Sequence, residues 1–165
     1  MVIAGLTGIV DIDSAGFRAG AVKNGGTFWI WGNLASGGPF TRAPLRMVGV
    51  QDMRKVAVGE SHVLLVDKNA RIWSFGDNDA GQLGTGSFTP SAVPVKVDGI
   101  TGVVQVAVAS GIPRARTADG GVWSAGNATG EGTDDVHDQF IRLAGLPATV
   151  HVRQLRAPAL REPVS

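Results

Sequence analysis

The chain has 165 residues, with 15 Lys and Arg against 14 Asp and Glu, and a net charge of +1 gives no general attraction to nucleic acid or a membrane surface. The absence of cysteine excludes disulfides, thiolate chemistry and cysteine-ligated zinc, and it fits a reducing, cytoplasmic setting. With 44% hydrophobic residues and no apolar run near the roughly 18 residues of a membrane span, the chain is expected to fold as one soluble domain.

The start, MVIAGLTGIVDIDSAG, has neither a basic n-region nor a sustained apolar h-region, so no signal peptide is expected. From there the 24 glycines and 8 prolines are spread along the chain, as in an all-β protein with many tight turns. Three stretches share one plan: IVDIDSAGFRAGAVKNGGTFWIWGN, KVAVGESHVLLVDKNARIWSFGDN and QVAVASGIPRARTADGGVWSAGN. Each predicts a strand, a small or polar corner, a second strand, a turn rich in Asn, Asp or Gly, and a third strand ending near Gly and Asn. Trp29, Trp73 and Trp123 mark the copies at intervals of 44 and 50 residues, a period that suits the blade of a β-propeller.

A second marker recurs out of phase as VIAGL, LRMVGV, VKVDGI and IRLAGL. Four such closing strands against three core units predict that the chain starts on the last strand of one blade. After Leu146 it would begin a further unit, TVHVRQLRA, that does not reach a Trp-x-x-Gly.

The stretch VAVGESHVLLVDKNARIWSFGDNDAGQLGTG, with Gly59, His62, Trp73, Gly76, Asn78, Gly81, Gln82, Leu83, Gly84 and Gly86, resembles the repeat of the regulator of chromosome condensation family. That resemblance implies blades of a seven-bladed propeller. The flanking copies match less: Gly16 aligns with His62 in the first, Ile112 does so in the third, and TGEGTDD replaces the Gly-Gln-Leu-Gly segment there. The expected fold is an all-β propeller arc of three four-stranded blades with partial blades at both ends, closed by oligomerisation as a homodimer or another homo-oligomer. Repeat units are expected near 7–50, 51–100 and 101–146 within a propeller region at 1–150. Residues 151–165 would form a partial blade strand and a basic tail with Arg153, Arg156 and Arg161.

Most motifs that suggest chemistry read better as architecture. Gly76, Gly81, Gly84 and Gly86 fit positive φ or close backbone approach in a blade connector. DNDAG and DIDSAG lack the acidic residue a calcium loop needs at its twelfth position, and DDVHD, with Asp134, Asp135, His137 and Asp138, reads as a solvated loop. GNATGEG lacks the Lys-Ser/Thr of a phosphate loop, and Ser61, His62 and Asp67 lie along one hairpin without a nucleophile elbow. No metal and no cofactor is expected. The three marker tryptophans are expected to pack between blades.

The candidate binding residues are the corners after each first strand: Asp13 and Ser14, then Glu60, Ser61 and His62, then Ser110 and Gly111. The preferred reading is a non-enzymatic module that docks a protein partner on this face. A glycan-binding or adhesin-like propeller is the alternative, and it requires Trp31 or Phe75 exposed beside Asp77 and Asn78. The resemblance also implies guanine nucleotide exchange on a small GTPase, a role for which the expected blades are too few.

Overall fold

The computed structural model describes residues 6–34, 39–127 and 135–144. Among them are twelve strands in three four-stranded antiparallel sheets. The first blade holds β1 (Ile9–Ala15), β2 (Arg18–Lys23), β3 (Phe28–Asn33) and β4 (Phe40–Arg46). The second holds β5 (Met53–Val58), β6 (His62–Asp67), β7 (Ile72–Gly76) and β8 (Ser91–Lys96). The third holds β9 (Val103–Ala109), β10 (Ile112–Thr117), β11 (Val122–Asn127) and β12 (Val136–Arg142). The markers LRMVGV, VKVDGI and IRLAGL thus straddle the ends of the fourth strands, whereas VIAGL and TVHVRQLRA lie largely or wholly outside the described residues. His137 and Asp138 sit on β12, so that part of DDVHD is strand and not loop.

Alternation along each strand sends one set of side chains to the preceding blade and the other to the next. Val22, Phe28 and Ile30 of the first blade meet Val63, Leu65 and Phe75 of the second, with Phe28 and Phe75 edge to face at 6.1 Å. Leu64, Val66 and Ile72 face the other way and bury against Val106, Ala115, Ala125 and Phe140 of the third. Trp73 and Trp123 pack half-buried against these two cores, as expected, while Trp29 stands on the open face of the first blade with Lys23 5.4 Å from its ring.

Trp73 also donates its indole N–H to Asp67 Oδ2 at 3.1 Å, and that carboxylate accepts from Arg71 and Asn69 as well. Trp73→Ala therefore removes interblade packing and one bond of the β6–β7 turn. A loss of roughly 3 kcal/mol is expected, read as a lower urea midpoint; an unchanged midpoint would remove the tryptophan from the core.

The innermost strands β1 and β5 are tied through side chains. Asp11 Oδ2 accepts from the Val56 N–H at 2.8 Å, and Asp13 Oδ2 accepts from the Val58 N–H at 2.9 Å. The outer strands face the edge problem in two ways. Cross-strand register gives Pro44, Pro94 and Phe140 one shared position, since Leu45, Val95 and Ile141 oppose Ile30, Ser74 and Ser124. Proline blunts the edge in β4 and β8. β12 is instead capped by the Gly-Gln-Leu-Gly loop of the second blade, where the Gly86 N–H donates to Asp138 O at 2.8 Å and Thr85 bridges Gln139. Asn78 holds that loop from inside, accepting from the Leu83 N–H at 2.8 Å and donating to Ser87 O and Thr89 O. The loop is a blade connector.

Candidate functional site

Two residues turn each first strand into the second: Gly16–Phe17, Glu60–Ser61 and Ser110–Gly111. All three corners, with the loops that follow the third strands, lie at one end of the blades. The register corrects the expected alignment of Gly16 with His62. Arg18 opposes Gly32 just as His62 opposes Gly76, and the same register sets Ile112 across from Gly126. Arg18, His62 and Ile112 are the equivalent residues, each eleven positions before its tryptophan. Counting back from the tryptophans finds this position in the sequence; similarity of the corner residues conceals it.

The expected binding residues are thereby split. Glu60, Ser110, Gly111 and Ser14 are exposed and Ser61 is half-buried. Asp13 belongs to β1 and spends its carboxylate on Val58, so the true corner of the first blade is Gly16–Phe17. His62 is fully buried, with neither ring nitrogen hydrogen-bonded. Burial first, and the neighbouring Arg18 charge second, push its imidazole down to about 4.

Two residues that the sequence reading passed over dominate this end. Phe17 is 83% exposed at the tip of its turn, far more than an unpartnered aromatic ring ordinarily is. Arg18 beside it is 5% exposed and bridges two blades, donating from Nε to Asn33 O at 2.6 Å and from Nη1 to Gly59 O at 3.0 Å. A recess of about 310 Å3 opens here, lined by Ala15, Gly16, Phe17, Arg18, Asn33 and Glu60. No group of three or more His, Cys, Asp or Glu fit to hold a metal occurs among the described residues. Nor is any helix there long and apolar enough to cross a membrane.

Comparison with known proteins agrees with this architecture. Two models of the regulator of chromosome condensation (RCC1) repeat match residues 69–112 and 53–82. The human E3 ubiquitin-protein ligase HERC2 is 31% identical over 152 residues, 81% of this chain and 3% of that protein. The Arabidopsis thaliana ultraviolet-B receptor UVR8 is 31% identical over 123 residues, 68% of this chain and 28% of that protein. Among solved structures, Prp20p of Saccharomyces cerevisiae, described with its binding to Gsp1p and histones, superposes with a TM-score of 0.74 at 21% identity. That match covers 86% of this chain and 39% of Prp20p. Human WBSCR16 superposes with a TM-score of 0.73 at 22% identity, covering 87% of this chain and 41% of the other. The chain thus spans well under half of each of these proteins. On these matches the chain belongs to the regulator of chromosome condensation (RCC1) repeat family.

Proposed function

We propose that this chain is a non-catalytic interaction module whose corner face docks a protein partner. The observation that carries the reading is Phe17, 83% exposed on a two-residue turn between paired strands. A large aromatic side chain held on a rigid element loses little entropy on binding, which is the character of an interface anchor. Prp20p, a structural neighbour, is described as binding two kinds of protein, which supports the class and not the partner. Affinity capture with the native chain is expected to retain a protein that Phe17→Ser with Glu60→Lys loses at unchanged thermal stability. The same set of proteins on both baits would overturn the reading.

The glycan reading has less support, since Phe75 is 1% exposed, Asn78 is buried with its amide committed to the connector, and Trp31 is half-buried. Exchange-factor activity is not proposed for three blades.

A second copy of the chain is part of the proposal. Ile12 is 55% exposed at the inner-strand position where Val56 and Val106, at 1% and 4%, are covered by the preceding blade. An apolar blade face of this kind favours being covered. Light scattering at micromolar concentration is expected to give about twice the 17.0 kDa chain mass, and Ile12→Lys to return it to one chain. A folded monomer from the unaltered chain would sink the dimer.

A further inference from the structure

We propose that the recess between the first two corners is a peptide subsite that takes a carboxylate side chain next to a cationic one. The assignment rests on the reading of the corner face as the docking face and adds the chemistry of what enters it. Its floor is Arg18, a guanidinium withdrawn almost wholly from water. Two of its nitrogens donate to backbone carbonyls, and Nη2 makes no hydrogen bond among the described residues. No carboxylate of those residues forms an ion pair with it, and burial outweighs the opposite charge of Asp77, so the guanidinium is held below its ordinary range. A buried cation whose counter-charge only partly offsets its burial is costly, and an entering carboxylate would lower that cost through charge-assisted hydrogen bonds to the guanidinium.

The rim sets what must accompany that carboxylate. Glu60 lines the same recess, is exposed, and lies over Gly16, its Cγ 3.7 Å from where a Gly16 Cβ would stand. It forms no ion pair with any described residue, Arg18 included. A lone carboxylate ligand would feel Glu60 as a like charge, whereas one flanked by Lys or Arg satisfies both walls. Phe17 supplies an apolar surface for the aliphatic stems of such side chains, which cover apolar area while their charged ends stay polar. A volume of about 310 Å3 is at the lower end for a ligand pocket, enough for side chains of a bound segment.

The test is titration of the 15N-labelled chain with N-acetyl-Glu-Lys-amide, followed by amide and Arg Nε–Hε correlation spectra. Saturable shifts are expected at Ala15 to Arg18, Asn33 and Glu60, with dissociation constants on the order of 1 mM. N-acetyl-Gln-Lys-amide should bind roughly tenfold more weakly, and Glu60→Gln should weaken the Glu-Lys ligand by several-fold. Phe17→Ser and Glu60→Gln both alter exposed side chains, so the fold is kept while the site is probed. Equal shifts with the Glu and Gln peptides, or no saturable shift by about 20 mM, overturns the subsite. Tighter binding of free glutamate, whose own α-ammonium could serve Glu60, overturns its assignment to peptide. If Phe17→Ser abolishes capture of a protein but the dipeptide never binds, the docking face stands and the subsite falls. If the dipeptide binds and no captured protein depends on the corner, the subsite stands and the docking reading falls.

Discussion

Gly76→Val is expected to cost about 4 kcal/mol or more, enough to leave the second blade largely unpaired at 37 °C. Gly76 has φ of 124°, and a Cβ there would stand 2.4 Å from Ser61 O and 2.5 Å from His62 Cα. Both obstacles are backbone, one in the corner turn and one at the start of the partner strand, so no rotamer change relieves them; β6 and β7 must part. Gly99 separates the two causes, because it has φ of 82° with nothing within 4 Å of its virtual Cβ. Gly99→Val should cost only the conformational strain, about 1 to 2 kcal/mol. Gly126 lies between them, with φ of 89° and its nearest obstacle, Ala80 O, at 3.4 Å. Urea unfolding of the three variants checks the order. Equal losses at Gly76 and Gly99 would show that backbone approach contributes nothing.

That graded behaviour shows why the architecture was legible and the site was not. Blade strands and turns follow from local rules that recur three times: Trp-x-x-Gly, alternating apolar residues, and glycine where φ is positive. Each copy reinforces the others, so a single noisy stretch does not mislead. The corner residues follow no such repetition. Arg18, His62 and Ile112 share one backbone position and have no chemistry in common, and the small residues SAG drew attention to Asp13 and Ser14 instead. Only the strand register shows that Phe17 is at the tip and Arg18 beneath it. Burial was equally hidden: His62 looks like an available corner histidine, yet its side chain is wholly withdrawn from water.

The same histidine makes the stability of the chain sensitive to pH. In the folded state its imidazole titrates at about 4, because burial and the Arg18 charge across the blade junction oppose a second positive charge. In the unfolded chain it takes a proton near its ordinary 6.5. Between those values the unfolded state binds more protons than the folded one, so stability falls as pH falls, by up to about 1.4 kcal/mol per unit and about 3 kcal/mol in all. Below 4 this contribution is fully lost. Asp67 acts in a lower window. Burial raises its carboxyl, but hydrogen bonds from Arg71, Trp73 and Asn69 outweigh burial and hold it below 3.8, so its stabilising effect persists until the pH drops through that range. His62→Ile borrows the side chain that the third blade already carries at this position, as Ile112. At pH 7 the variant should match or exceed the parent, since it removes a buried N–H that has no acceptor. Urea midpoints at pH 7 and pH 4.5 are expected to show the parent losing about 2 kcal/mol or more and the variant losing little of it. Equal losses in the two proteins would move the pH sensitivity away from His62.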